Sequence, residues 1–499
     1  MLKFSFTSFF FLICSFFFTP NNELELKPPN IIFFFVDDMG WQDTSLPFHV
    51  EVTKLNKQYH TPHMERLAQK GMKFTQAYAA AVCSPTRVSL MTGINASRHR
   101  VTNWTLFKNQ STETNHPSLL RPDWNLNGLS SIPNSPKTFY AKTLPQYLQS
   151  SGYTTIHVGK AHFGAKGTLG ENPLNLGFDV NIAGHAAGGP GSYLAKHHFS
   201  AQWRNGMDVW DVPGLDKFYG TDIYLTEALT IEAKQAIEHA VQINKPFYLY
   251  MSHYAVHAPW EPDKRFYQKY IDAGLSEFDA TFASMLEGMD QSLGDIMDHL
   301  KELGIEENTI IVFMSDNGSP RQTARNIPLR GFKLTPYEGG IRVPMIVKWP
   351  GVVNENSQTN QPIIIEDIFP SFLEMAGLEQ QIPTSIDGIS FVPILKGEKS
   401  VSSDRSFIWH FPNLYDTFPY SSIRRGPWKL IYHHTDQKFE LFNLEKDLSE
   451  SKNLTESNPT KTFELAMILS DYLERVSAPM PLYQTSKKPV PYPKAALVQ

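Results

Sequence analysis

Four short apolar runs, each ending abruptly at a polar cluster, constrain this chain more than any other feature. Residues 30–36 carry Ile-Ile-Phe-Phe-Phe-Val and stop at Asp37-Asp38, and residues 153–158 stop at Gly159-Lys160-Ala161-His162. Residues 246–251 stop at Ser252-His253, with His257-Ala258-Pro259 just beyond, and residues 309–314 stop at Ser315-Asp316-Asn317-Gly318. An apolar run without polar alternation has to be covered on both faces, the condition of strands in a mostly parallel sheet. Helical patterns lie between the runs. Pro62 is a good helix start and Gly71 a good stop, and residues 222–243 are amphipathic. Across residues 276–303, Phe278, Phe282, Met285, Met289, Leu293, Ile296 and Leu300 recur at helical spacing, which predicts a core stripe. Strands alternating with helices predict an α/β domain, and in such sheets ligands bind beyond the carboxyl ends of the strands. Every polar cluster named here sits at such an end.

Beyond about residue 400 the pattern changes. Residues 407–410, 428–433 and 439–442 read as short aromatic-rich strands, followed by a helix near 462–476 and an irregular tail from Ser477. The expected division is a large domain over 28–395 and a smaller α+β unit with an antiparallel sheet over 396–499. Residues 1–20 read as a secretory signal peptide, with Lys3 before a phenylalanine-rich apolar run over 4–18. That run is shorter than the roughly 20 residues that span a bilayer, and no later stretch qualifies, so no transmembrane anchor is expected. The chain is expected to be exported: periplasmic first, with a secreted protein or a surface lipoprotein attached through Cys14 as alternatives. A net charge of -5 gives no reason to expect a nucleic-acid partner.

Only Cys14 and Cys83 are present, so removal of the leader leaves Cys83 without a disulfide partner. Its neighbours give it a second meaning. Pro85 near a helix start and Gly93 past a helix end predict a short helix beginning at Cys83. Free amides and the positive dipole at that end favour an anion, and Arg87, four residues on, returns to the same face. Asp37, Asp38, Asp316 and Asn317 are hard oxygen ligands from two strand ends, suited to calcium or magnesium, although each pair alone also reads as a loop or turn.

The run Cys83-x-Pro85-x-Arg87, ending in Thr92-Gly93, resembles the signature of the type I sulfatases, departing from its commonest form at Thr86 and Met91. Further stretches match in the same order. These are Gly159-Lys160-Ala161-His162, His257-Ala258-Pro259, Gly331-Phe332-Lys333, Glu338-Gly339-Gly340-Ile341-Arg342-Val343-Pro344, Arg424-Arg425-Gly426-Pro427-Trp428-Lys429-Leu430 and Glu440-Leu441-Phe442-Asn443-Leu444 with Asp447. The resemblance implies an alkaline-phosphatase-like fold with its catalytic domain over 28–395. It implies one calcium ion held by Asp37, Asp38, Asp316, Asn317 and position 83. Cys83 would be converted to Cα-formylglycine (3-oxoalanine) by a formylglycine-generating or anaerobic sulfatase-maturing enzyme.

The same resemblance implies a mechanism. The hydrated aldehyde at position 83 attacks sulfur, while Arg87 and Lys160 hold it and Lys333 neutralises the sulfate. His257 protonates the departing alcohol, and His162 takes the proton that lets the aldehyde reform. His253, His185 and His410 are expected as further substrate contacts. The implied substrates are sulfated polysaccharide fragments, algal ones among them. The competing readings are a phosphomonoester, phosphodiester or phosphonate hydrolase of the same superfold and a non-catalytic carbohydrate-binding relative. Stretches 182–185 and 189–193 match no motif and are expected to be loops near the pocket.

Overall fold

In the computed structural model, which describes residues 1–4, 27–323, 325–398 and 404–497, the apolar runs are neighbours in one sheet. The expected signal peptide and Cys14 lie outside the described residues, apart from residues 1–4. The large sheet is built from β1 (Asn30–Val36), β2 (Met72–Tyr78), β3 (Thr154–Gly159), β4 (Val180–Ile182), β5 (Phe247–Ser252), β6 (Thr309–Ser315), β7 (Arg342–Lys348), β8 (Ser357–Thr359) and β9 (Ile363–Ile364). Its order is β8-β2-β7-β6-β1-β5-β3-β4, with β9 also paired to β2. All strands run parallel except β7, which is antiparallel to both β6 and β2.

The β1 sequence shows why these runs lack alternation. Side chains along a strand point to opposite faces in turn. Ile31, Phe33 and Phe35 enter one core, and Ile32, Phe34 and Val36 enter the other. With both faces covered, every position has to be apolar. The first core is closed by helices α2 (Cys83–Thr92) and α5 (Ile368–Met375). The second is closed by α1 (Pro62–Gln69), α3 (Leu225–Gln242) and α4 (Glu277–Glu302). In α4 the predicted stripe is buried from Phe282 to Leu300, but Phe278 is 37% exposed. It sits in the first turn, where its ring meets the edge of Trp260 rather than the core.

The reversed strand matters for function. Chain leaving β6 at the carboxyl edge stays there through residues 316–341 and then re-enters the sheet as β7, so that whole segment is held at the edge.

Strands β10 (Ser406–Phe411), β11 (Tyr420–Arg425), β12 (Trp428–His433) and β13 (Phe439–Asn443) form an antiparallel meander. Helix α6 (Pro459–Arg475) covers one face through Leu465, Leu469 and Leu473. Phe407, Trp409, Phe411 and Ile431 on the other face merge with the first large core. The tail is less irregular than expected: Leu482–Tyr483 pairs with Leu119–Leu120, and Met480 and Val490 are buried in the small core. These apolar side chains tie it down.

A buried ion network also joins the meander to the large sheet. Lys429 Nζ lies 3.0 Å from Glu338 Oε1 and 2.8 Å from Glu450 Oε1, with all three side chains fully buried. Glu338 also accepts from Tyr78 Oη at 2.7 Å, and its backbone N–H donates to Glu450 Oε2 at 2.7 Å. Burial would raise the Glu338 carboxyl, but Lys429, Arg342 and Arg424 outweigh it and hold it at about 2.

Candidate active site

Helix α2 begins at Cys83, with extended Val82 before it, and ends at Gly93, whose positive φ of 69° lets its N–H reach Ser89 O. Pro85 has no N–H and Thr86 N–H donates to Val82 O at 3.4 Å, so the first-turn amides left without an intrahelical acceptor are those of Cys83 and Ser84. Its Sγ lies 3.3 Å from Lys333 Nζ and 3.7 Å from Asp37 Oδ1. Burial pushes the thiol up to about 12, against the pull of Lys160 and Lys333. Thr86 keeps the hydroxyl that Ser would supply and donates it to Asp316 O at 2.8 Å, which accounts for that departure from the common motif.

Three carboxylates face three cations beside Cys83. Lys160 Nζ donates to Asp37 Oδ2 at 2.6 Å, and Lys333 Nζ donates to Asp38 Oδ1 at 2.6 Å. Arg87 donates from Nε and Nη2 to Asp316 Oδ2 at 3.1 and 2.8 Å, and from Nη1 to Ser252 Oγ at 2.7 Å. Burial alone would raise all three acids. For Asp37 it prevails, reinforced by Asp316, and the carboxyl sits well above the usual range. For Asp38 the charges of Lys333 and His257 reverse the sign, and for Asp316 those of Arg87 and Lys160 do so.

Ligand atoms of Asp37, Asp38, Cys83 and Asp316 lie within 4.8 Å of one another, so this buried group can hold a metal ion. Asn317 strengthens the fit. Its Nδ2 donates to Asp38 Oδ1 at 2.7 Å, while its buried Oδ1 has no hydrogen-bond partner among the described residues. An orphaned buried carbonyl oxygen beside three carboxylates is satisfied by a hard cation.

Two histidines flank the group with opposite tautomers. His162 Nε2 lies 2.9 Å from Thr105 O, so Nε2 carries the proton and Nδ1, buried without a partner, is left as an acceptor. His257 Nδ1 lies 2.7 Å from Ala258 O, which leaves Nε2 as the free nitrogen, 3.7 Å from Asp38 Oδ2. Burial lowers both rings, His162 well below its ordinary value and His257 to about 4, the latter opposed by Asp38. A Cβ on Gly188 would meet the His162 ring at 2.4 Å, and one on Gly189 would meet His257 Nδ1 at 2.7 Å. The glycine-rich loop thus presses on the two rings, and Gly189 belongs to the 189–193 stretch expected near the pocket. Asp38, His162 and Leu334 adopt left-handed backbone, with φ of 61°, 54° and 77°. For Leu334 this is a strained geometry, held by its N–H on Ala81 O at 2.7 Å.

Above Cys83 a cavity of about 280 Å³ is lined by Asp38, His162, His257 and Lys333 together with Trp104, Trp210, Trp260, Phe332, Tyr415 and Arg321. Apart from Phe332, which belongs to the Gly331-Phe332-Lys333 match, the aromatic wall comes from separate loops and carries no motif.

Three expected substrate contacts are placed elsewhere. His253 is buried, with Nε2 2.9 Å from Ser292 Oγ and its ring against Phe34. His410 is buried in the meander between Ser421 Oγ and Pro479 O. His185 lines a different groove with Asp208 and Asp211 and touches the site only through its carbonyl, which accepts from His162 N–H at 3.2 Å. None of the three side chains lines the cavity above Cys83: His253 and His410 are enclosed by packing, and His185 lines the other groove.

The profile described as Sulfatase matches residues 29–378, and that described as N-sulphoglucosamine sulphohydrolase, C-terminal, matches residues 333–478. A Formosa agariphila protein named Sulfatase is 30% identical over 533 residues, covering 95% of this chain and 94% of its own. The N-acetylgalactosamine-6-sulfatase of Homo sapiens is 31% identical over 391 residues, 74% of this chain and 66% of its own. The crystal structure of Ps i-CgsB in complex with k-i-k-neocarrahexaose is 26% identical, with a TM-score of 0.72 over 90% of this chain and 93% of that one. The shared fold is the alkaline-phosphatase-like α/β architecture with a C-terminal antiparallel sheet.

Proposed function

This chain belongs to the sulfatase family and is a sulfuric ester hydrolase, and from that premise we propose that it acts on sulfated oligosaccharides through a formylglycine made from Cys83. The observation that carries this reading is the position of Cys83. It stands at a helix N-terminus with Lys333 Nζ 3.3 Å away, beside three buried carboxylates and at the floor of a cavity. Relatives named for N-acetylgalactosamine-6-sulfatase and a neighbour bound to a neocarrahexaose support a sugar ester as substrate.

The residues present fit one calcium ion held by Asp37, Asp38, Asp316, Asn317 and position 83. Such an ion supplies fixed positive charge for sulfate oxygens and for an acidified hydroxyl. Around it the chain's own groups divide the work. The free Nδ1 of His162 is the acceptor for the proton released when the aldehyde reforms. The free Nε2 of His257 is the atom that, once protonated, delivers a proton to the departing sugar oxygen. Burial would lower Lys333, but the charge of Asp38 outweighs it and holds the ammonium well above its ordinary value, which suits it to meet sulfate oxygens. Arg87 and Lys160 keep position 83 oriented through Asp316 and Asp37.

His257→Gln is expected to slow hydrolysis of a sugar sulfate by about 10²- to 10⁴-fold, the usual range for losing a general acid. A nitrophenyl sulfate, whose phenolate leaves without a proton, should lose far less. Equal losses on the two esters would remove His257 from the acid role.

We further propose export to the periplasm through residues 1–20, conversion by a formylglycine-generating or anaerobic maturing enzyme, and a catalytic domain over 28–395 with a C-terminal subdomain over 396–499. Among the described residues no helix is long and apolar enough to cross a membrane. The test of the function is the mass of the peptide containing residue 83, from protein coexpressed with a maturing enzyme, alongside sulfate release from model esters. A loss of about 18 Da with sulfate release supports the activated-nucleophile mechanism. An unmodified Cys83 with no release, where a control sulfatase is converted, counts against it and favours a phosphoester hydrolase or a binding protein.

A further inference from the structure

The cavity over Cys83 is open at one side. Arg321, Phe332 and Asp416 line it and also line a second groove of about 630 Å³, whose far wall includes Arg330, Tyr337 and Phe418. That volume falls within the roughly 300–1,000 Å³ typical of small-molecule sites. Both arginines lie on aromatic rings, Arg321 at 4.7 Å from the Phe332 centroid and Arg330 at 3.8 Å from that of Tyr337. Their surroundings then differ. Arg330 is tied from both ends, donating Nη1 to Glu450 O and Nη2 to Tyr337 Oη, each at 3.0 Å, with Glu440 at 3.6 Å. Arg321 is held only at its Nη2 end, by Asp416 O at 2.9 Å and the Asp416 carboxylate at 3.6 Å. Its Nε and Nη1 have no protein acceptor among the described residues. Both side chains of that ion pair are more than half exposed, so the pair contributes little and is readily exchanged for another anion. A guanidinium preset on an aromatic face at the join of two cavities is suited to bidentate recognition of a sulfate or carboxylate.

We propose that the groove receives the sugar next to the one that loses its sulfate, and that Arg321 reads a second anionic group on that neighbour. The preferred substrate is then a polyanionic oligosaccharide of two or more residues rather than an isolated sugar sulfate. This rests on the sulfate-ester reading of the Cys83 cavity, and the test separates the two.

Binding is measured by calorimetry on the full chain carrying Cys83→Ala, which cannot turn over. The probes are three galactose-based disaccharides: one sulfate on the reacting sugar, a second sulfate on the neighbour, or a uronic carboxylate on the neighbour. The second anion should tighten binding about tenfold or more, the usual worth of a charge-assisted hydrogen bond. Arg321→Ala should remove that gain and Arg321→Lys should keep part of it, and the probe showing the gain identifies sulfate or carboxylate. Absence of any gain, or a gain that persists in Arg321→Ala, overturns the proposal. Should the converted wild-type protein release no sulfate while the Arg321-dependent gain stands, the subsite survives and the hydrolase reading fails.

Discussion

Cys83→Ala is expected to lower sulfate release by about 10⁴-fold or more while leaving the fold intact, since alanine lacks the thiol whose oxidation would turn the β-carbon into the proposed aldehyde. The unconverted cysteine should be nearly as inactive. Burial pushes its thiol up to about 12, which disfavours the thiolate at neutral pH. The free thiol lies 3.3 Å from Lys333 Nζ and 3.7 Å from Asp37 Oδ1 and offers no hydroxyl to attack sulfur. Cys83→Ser should therefore resemble Cys83→Ala, because neither side chain can be hydrated at its β-carbon and then eliminate sulfate. The measurements are sulfate release and the thermal unfolding midpoint of each variant. A Cys83→Ala protein that keeps more than a few per cent of activity at unchanged stability would remove residue 83 from the chemistry.

The largest stability effect is expected at Arg87→Met. Arg87 is fully buried, donates twice to Asp316 and once each to Lys160 O and Ser252 Oγ, and lies 5.0 Å from the Phe35 ring centroid. Removing it leaves Asp316 buried with Lys160 at 3.8 Å as its one remaining ion-pair partner among the described residues and Lys333 farther off. Breaking a buried pair in this way costs about 3–5 kcal/mol. The denaturation midpoint in chelator-treated protein reads this loss directly. Arg87→Met/Asp316→Asn should recover part of it, because the uncompensated charge is gone. Arg87→Lys should recover less than its charge suggests, since an ammonium cannot reproduce the two-point contact with Asp316 Oδ2. If the double variant is no more stable than Arg87→Met, the loss lies in packing and not in the stranded carboxylate.

Much of the site was legible because its residues are local to sequence signals. Asp37-Asp38, Lys160, His162, His257 and Asp316-Asn317 all follow apolar runs, and a parallel sheet places every such end on one edge. The helix from Cys83 to Gly93 was legible for a similar reason, with Pro85 and Gly93 marking its ends. Legibility failed where the answer depended on which face a side chain takes. Ser252 and His253 are adjacent, yet Ser252 bonds Arg87 while His253 turns to Ser292 and Phe34. The alternation of a strand sends neighbours to opposite faces, and a histidine at a strand end carries no mark of its side. His410 failed likewise, enclosed between Ser421 and Pro479. Strands β2 and β7 were not read at all. Lys73, Thr75 and Gln76 interrupt the first, and the second follows a glycine-rich turn that reads as loop.

The amino-acid sequence by itself determined the layered α/β scaffold, the candidate nucleophile at the start of its helix, and the acidic pairs able to hold a hard cation, because these depend on local patterning. Tertiary structure alone decided three other matters. Reversal of β7 keeps Lys333 at the active edge, 3.3 Å from Cys83. The buried Glu338–Lys429–Glu450 network fastens the C-terminal meander behind that edge. The wall of Trp104, Trp210, Trp260 and Tyr415, and the groove beyond it, assemble from loops far apart in the chain. Contacts of that kind are set by how packed elements meet in space, and no periodicity in the sequence encodes where two distant loops will touch.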